Sequence, residues 1–180
     1  TARLWDAATG AQLQSFDGHQ DIVTDVEFSP DGEYLLTGEY AGPARLWNIA
    51  TGEQLRSFEG FPGYVTSLAF SPDGMQVLTG HYAYGSRMGN YVWDCTARLW
   101  DTSSAKLIRA FDGHANTLSF VGFSPDGTRV LTAGYAGTAK LWNTDGSPPE
   151  EPVDSRASVP LLVELADNQL RLIVSPIFVS

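Results

Sequence analysis

A β-propeller of four-stranded antiparallel blades is the all-β fold this 180-residue chain predicts, and three observations predict it. A strand end containing Leu-Trp recurs four times, at Thr1 to Asp6, Ala44 to Asn48, Thr96 to Asp101 and Ala139 to Asn143. Its tryptophans, Trp5, Trp47, Trp100 and Trp142, are 42, 53 and 42 residues apart, so the middle interval carries 11 extra. A Ser-Pro-Asp-Gly turn at 29–32, 71–74 and 124–127 sets its Asp 26 residues after the preceding tryptophan each time. Between these markers, short runs of β-branched and aromatic residues alternate with turn residues, and nothing reads as a long helix. Self-similarity at this period is the sign of repeated blades, each burying its apolar face only against its neighbours.

The first full repeat shows the elements in order. Ile22 to Phe28 alternates, with Thr24, Val26 and Phe28 on one face and Val23, Asp25 and Glu27 on the other, which is a strand. Ser29 to Gly32 turns the chain, because proline presets φ and glycine takes the positive φ that closes a hairpin. Tyr34 to Thr37, Ala44 to Trp47 and Gln54 to Phe58 follow as strands, separated by the turns Ala41-Gly42-Pro43 and Ala50-Thr51-Gly52.

Gly18-His19, Gly113-His114, the three Ser-Pro-Asp-Gly turns and the four Leu-Trp-Asp/Asn strand ends resemble the WD-repeat β-propellers over roughly residues 1–143. The resemblance implies blades around a central channel, the tryptophan strand third from the axis. It also implies a buried network of His, Ser/Thr, Asp and Trp in each blade. Carried over by position, the first repeat offers His19, Thr37 and Trp47, with Ala41 where Asp is expected. The second offers Thr79, Asp94 and Trp100, with Phe61 in place of His. The third offers His114, Thr132 and Trp142, with Ala136 in place of Asp. No blade has the full set, so either water completes the network or the histidines point elsewhere. These nine residues, His19, Thr37, Trp47, Thr79, Asp94, Trp100, His114, Thr132 and Trp142, are expected to be structural. The regular repeats suggest a bacterial source.

After Asn143, the Pro-rich and acidic run 145–152 reads as a linker or a degraded fourth strand. Leu161 to Leu165 and Leu170 to Val174 then flank a turn at 166–169, a hairpin pattern lying where a further Ser-Pro-Asp-Gly hairpin is due. The resulting division is outer strands at 1–16, a blade at 17–59, a blade with an inserted loop at 60–112, a blade at 113–152 and a diverged inner hairpin at 153–180. Joined end to start, Trp5 falls 43 residues after Trp142, so about four blades' worth of chain is present with one blade split between the termini. Two chains sharing one eight-bladed ring, or a window cut from a larger propeller, are expected over a closed four-bladed monomer. An open propeller would leave apolar blade faces in water. Thr1 falls inside a repeat, so the chain reads as cut or processed.

Composition narrows the function. A formal net charge of −10 argues against nucleic acid and anionic membrane surfaces, which require a basic face. Cys95 is alone and cannot form an internal disulfide, which fits a reducing, cytoplasmic setting. No nucleophile elbow, phosphate loop, metal-ligand cluster or HExxH helix is present, so neither an enzyme nor a cofactor site is expected. Asp25 and Glu27 share a strand face but lack a catalytic partner.

The insertion at 82–93 is the most informative local feature. Tyr82, Tyr84, Arg87, Met88, Tyr91 and Trp93 are residue types concentrated in binding hot spots, and Phe61 and Tyr64 fall on a nearby loop. These eight are the candidate partner-binding residues; packing against a neighbouring blade is the equal alternative. Tyr40, Tyr82 and Tyr135 recur at one place in each repeat and could grip a peptide or stack on a sugar, with packing between blades the preferred reading. Arg3, Arg45, Arg98 and Lys140, each two before a tryptophan, point to ion-pair or cation–π packing. The leading expectation is a scaffold that binds protein partners on the face bearing 82–93. A structural subunit of a homo-oligomer or filament, and a small-ligand or glycan binder, are the alternatives.

Overall fold

The computed structural model describes residues 1–59, 63–87, 90–148, 162–166 and 169–173, with side chains for 1–59, 63–82 and 95–148. The described residues contain no helix. The chain forms two compact units, Thr1–Pro149 and Glu150–Ser180.

In the first unit, among the described residues, β1 (Ala2–Trp5) pairs only with β2 (Gln12–Phe16). A four-stranded sheet follows, built in sequence order from β3 (Val23–Phe28), β4 (Tyr34–Glu39), β5 (Ala44–Asn48) and β6 (Gln54–Phe58). The next sheet takes β7 (Tyr64–Phe70), β8 (Gln76–Arg87), β10 (Ala97–Asp101) and β11 (Leu107–Phe111), with β9 (Asn90–Asp94) paired to the far end of β8. The 11-residue insertion is therefore an extension of the β8 hairpin, with Tyr84 opposite Trp93 and Arg87 opposite Asn90 in backbone register. The third sheet has three strands, β12 (Leu118–Phe123), β13 (Arg129–Gly134) and β14 (Thr138–Asn143). In the second unit, β15 (Leu162–Ala166) and β16 (Gln169–Ile173) form an antiparallel pair.

The three Ser-Pro-Asp-Gly turns are built alike. Ser71 Oγ donates to Asp73 Oδ1 at 2.6 Å and accepts Gln76 N at 2.8 Å, while Gly74 takes φ +71°. Ser124 repeats this with Asp126 and Arg129, and Ser29 with Asp31 and Tyr34. The motif thus closes each first hairpin by satisfying its own polar groups within the turn.

The cores lie between successive sheets rather than within them. Leu36, Leu46 and Phe58 pack with Val65, Leu68, Phe70, Val77 and Trp100 of the next sheet. Leu78, Leu99 and Phe111 pack with Leu118, Val121 and Val130 of the one after. A last-strand phenylalanine meets the next tryptophan three times, Phe16–Trp47 at 6.0 Å, Phe58–Trp100 at 5.9 Å and Phe111–Trp142 at 5.6 Å between ring centroids. Burying each such pair contributes several kcal/mol, at about 2–3 kcal/mol per large side chain. Close approach of the sheets requires glycine on the second strand. A Cβ at Gly38 would lie 2.6 Å from Val65 Cγ1, and one at Gly80 would lie 2.9 Å from Val121 Cγ1.

Polar links repeat as well. Gln14 Nε2, Arg56 Nε and Arg109 Nη2 each donate to a turn carbonyl of the following sheet, those of Ala50, Ser103 and Asp145, at 3.4, 2.7 and 2.8 Å. On the first strands, Asp25 Oδ2 accepts Leu68 N at 2.8 Å, and Ser67 Oγ accepts Val121 N at 3.2 Å. The alternation expected for Ile22 to Phe28 is present in β3, but the acidic face, not the apolar one, is covered by β7. Val26 and Phe28 are about half exposed.

Covering that acidic face has a pH consequence. Burial pushes Glu27 up to about 7; the Phe70 N–H opposes the shift and the Asp25 charge adds to it. Burial also raises Asp25. A carboxyl raised in the folded state supplies stability below its unfolded value, near 4.5 for Glu27, and loses it as pH climbs through about 7. The histidines, held neutral by burial, act in the opposite sense, so the informative quantity is the difference between wild type and Glu27→Gln. That variant should gain about 2 kcal/mol over wild type between pH 5 and pH 8, after allowing for solvent on the exposed edge of the group. Urea melts of both proteins at the two pH values check it; parallel losses would contradict the assignment.

Candidate functional site

Three of the tryptophans, Trp47, Trp100 and Trp142, each hang on one threonine. Trp47 Nε1 donates to Thr37 Oγ1 at 2.9 Å, Trp100 to Thr79 at 2.8 Å and Trp142 to Thr132 at 2.8 Å. His19 Nε2 lies 2.8 Å from Thr37 Oγ1, and His114 Nε2 lies 2.7 Å from Thr132 Oγ1. Neither histidine points elsewhere, so that part of the sequence expectation is corrected. Desolvation leads in lowering both pKa values, with Arg45 and Lys140 respectively adding to it, which favours neutral rings.

The second repeat is completed differently from expectation. Phe61, where histidine was due, lies outside the described residues, and Asp94 is described in backbone only, within β9. The imidazole comes instead from His81, on β8 two residues past Thr79, with its Nε2 2.6 Å from Thr79 Oγ1. Both residues are fully buried, and desolvation leads in holding the ring pKa well below the usual histidine value. His81 was missed because it lies on the strand and not on the preceding loop.

The matching strand positions, two past the threonine, are Glu39 and Gly134. Glu39 is fully buried, pairs with Arg45 and accepts the backbone N–H groups of Gln20 and Asp21. Burial acts to raise its pKa, but Arg45 and the two N–H groups outweigh it and the net shift is downward. Its carboxylate is held by Arg45 and the loop N–H groups, and His19 Nδ1 is left without a hydrogen-bond partner. At Gly134 there is no side chain, and Lys140 donates to Gly113 O at 2.6 Å while lying 5.7 Å from the Trp142 ring centroid.

At the Glu39 end of β4 three of the candidate aromatics meet. Tyr40 stacks on Tyr64 with centroids 3.9 Å apart and planes at 14°, and Tyr64 lies 5.7 Å from Tyr82. Tyr40 is 43% exposed and Tyr135, at the equivalent place in the third repeat, is 76% exposed. A hydrogen bond with Tyr64 raises the Tyr40 phenol above its ordinary pKa. Tyr84, Arg87, Tyr91 and Trp93 lie on the extended hairpin that continues from Tyr82, described there in backbone only, and Met88 lies outside the described residues. The structure brings Tyr64 and Tyr82 together and adds Tyr40; the side chains of the other candidates lie outside the described residues. Among the described residues no group of three or more His, Cys, Asp or Glu could hold a metal ion.

Comparison with known proteins agrees with this architecture. The family model "WD domain, G-beta repeat" matches residues 10–48, 52–101 and 105–143. The guanine nucleotide-binding protein subunit beta of Arabidopsis thaliana is 37% identical over 151 residues, covering 81% of this chain and 38% of that protein. A WD repeat-containing protein WDS homolog from the same plant is 44% identical over 55 residues, or 29% of this chain and 10% of that protein. The small ribosomal subunit protein RACK1 of Neurospora crassa is 36% identical over 55 residues, or 31% of this chain and 17% of that protein. The chain thus spans between a tenth and two fifths of the length of these relatives. They come from a plant and a fungus and lend no support to the bacterial source suggested by the repeats. The crystal structure of the computationally designed Ika4 protein superposes with a TM-score of 0.64 at 30% identity, covering 78% of each chain. With three repeats matched across residues 10–143 and the same Trp–Thr anchor in each, this chain belongs to the WD-repeat family.

Proposed function

We propose that this chain is a protein-interaction scaffold without catalytic activity, taking partners on the face that carries Tyr40, Tyr64, Tyr82 and the 82–93 hairpin. The observation that carries the reading is the exposed Tyr40–Tyr64 stack beside the root of that hairpin. Stacked rings offer large, rigid contact area at small entropic cost, on a scaffold stiffened by the sheets beneath. Two of the relatives are by name subunits of larger assemblies, which supports a binding role. The acidic charge favours protein partners over nucleic acid or an anionic membrane. The test is a quantitative pull-down with wild type, a Tyr84→Ala/Trp93→Ala variant and a control substituted at exposed Leu107. Partners held by wild type and control but lost by the double variant support the reading, and an unchanged set overturns it.

A second reading concerns assembly. The β1–β2 and β15–β16 pairs each hold two strands where β3–β6 holds four, and Trp5 is 52% exposed while Trp47 and Trp100 are buried. Joined, within one chain or between two, such pairs would complete another blade, and two chains would share an eight-bladed ring. Light scattering distinguishes the outcomes: a folded species of twice 19.5 kDa supports the shared ring, and a folded monomer removes it.

A further inference from the structure

Among the described residues β14 pairs with β13 alone, whereas β1, β5 and β10 each carry a further outer strand, β2, β6 and β11. The turns that follow these strands differ in the same way. Asp6, Asn48 and Asp101 each donate the backbone N–H to the carbonyl five residues on, those of Ala11, Glu53 and Lys106, at 2.8, 2.9 and 2.9 Å. That bond starts the outer hairpin. At the equivalent Asn143 the side-chain Nδ2 donates to Pro148 O instead, at 3.0 Å, and Gly146 N closes a tighter turn on Asn143 O. The sequence departs at the same point. β2, β6 and β11 end in Leu-Gln-Ser-Phe, Leu-Arg-Ser-Phe and Ile-Arg-Ala-Phe, with Phe16, Phe58 and Phe111 each 11 residues after a tryptophan. At that distance from Trp142 the chain reads Glu150-Glu151-Pro152-Val153, which keeps none of the four residue types.

The edge itself is built to pair. Thr144 N donates to Thr128 O and so faces the β13 side. Alternation along the strand then turns the N–H and C=O groups of Leu141 and Ala139 to the opposite edge. Ala139 is exposed, while its counterparts Ala44 and Ala97, each covered by an outer strand, are fully buried. A groove of about 390 Å³ adjoins the strand, lined by Ala110, Phe111, Trp142, Asn143 and Pro148.

We propose that β14 is a strand-addition site, taking an extended segment of a protein partner antiparallel to it as a fourth strand. The segment carries the pattern this chain uses three times: an aliphatic residue, Arg or Gln, a small residue and Phe. Its phenylalanine lies opposite Ala139, as Phe58 lies opposite Ala44 and Phe111 opposite Ala97. Its small residue lies opposite Lys140, as Ser57 lies opposite Arg45, on the face of Trp142 that borders the groove. Backbone bonds to Leu141 and Ala139 give affinity, and the ring and the small residue give selectivity. A second copy is not the donor, because its strands of this pattern are already paired in its own sheets. The site lies apart from the aromatic face and stands or falls independently of it.

The test titrates the 180-residue chain, labelled for amide NMR, with acetyl-Glu-Gln-Leu-Arg-Ser-Phe-Glu-amide, the sequence of residues 53–59. Saturable shifts should centre on Ala139, Leu141 and Asn143. Replacing the peptide's Phe by Ala should weaken binding at least roughly tenfold, as burial of one aromatic side chain allows. Asn48 N faces β6, so the N–H groups of Arg56 and Phe58, opposite Leu46 and Ala44, face the paired edge. N-methylation of the peptide's Arg and Phe should therefore abolish binding, while N-methylation of its Leu and Ser should be tolerated. Ala139→Pro removes only an N–H that faces the open edge, so it should keep the remainder of the spectrum and lose the response. Should that variant fail to fold, the two methylated peptides decide. No saturable shift, equal effects of the two methylation patterns, or an undiminished response in Ala139→Pro would overturn the assignment. So would shifts centred on β5, on Tyr40 and Tyr64, or on β14 through pairing with a second copy before peptide is added.

Discussion

Replacing Glu39 by alanine should cost about 3–5 kcal/mol, the loss expected when one partner of a buried ion pair is removed. The carboxylate is fully buried and is the ion-pair partner of Arg45, itself only 8% exposed. Removal leaves a cation inside the sheet and takes the acceptor from the N–H groups of Gln20 and Asp21. Gly42 lies against the carboxylate: a Cβ there would fall 2.8 Å from Glu39 Cδ, so the turn that follows β4 is shaped to admit the acid. Arg45→Ala should be similarly costly, but the double substitution should cost clearly less than the two singles together, because it leaves no charge unpaired. Chemical denaturation of the four proteins closes the cycle; strict additivity would show that the pair is not coupled. Because the Glu39 pKa is depressed in the folded state, its contribution is present above the ordinary glutamate range and is lost as pH falls through the folded value.

The sequence made the frame of this protein legible and left most of its joints hidden. Strands and turns were readable because the Leu-Trp and Ser-Pro-Asp-Gly markers keep a fixed distance, and the anchor threonines because Thr37 and Thr132 stand ten residues before Trp47 and Trp142. Glu39 was not readable: an acid next to a turn ordinarily faces water, and only the fold shows Arg45 reaching it. The same habit concealed the role of Asp25 and Glu27, whose face is covered by β7 while Val26 and Phe28 remain half exposed. The rim links did leave a signal, since Gln14, Arg56 and Arg109 each stand nine residues after a tryptophan and each is a long donor. Periodicity reveals what is repeated; it does not reveal which neighbour a repeated residue serves. The hairpin at 82–93 was readable as an insertion from spacing alone, and its paired backbone follows from extension of β8 beyond the sheet.

Thr79→Val should cost about 2–3 kcal/mol, although it keeps the shape and volume of the side chain. Thr79 Oγ1 accepts the indole N–H of Trp100 at 2.8 Å and bonds His81 Nε2 at 2.6 Å, in a place from which solvent is excluded. One hydroxyl thus serves two rings, and a methyl group in its place serves neither. Thr79→Ser keeps the hydroxyl and should lose only the packing of one methyl, about 1 kcal/mol. Thr37→Val should fall between them, because His19, its partner in the first repeat, is less deeply buried than His81. This ordering separates the hydrogen bonds from mere cavity formation, and it tests whether His81 has taken over the part that a loop histidine plays in the repeats on either side. Urea midpoints for the three variants decide it. If Thr79→Val is no worse than Thr79→Ser, the hydroxyl contributes nothing and His81 is buried for its packing alone.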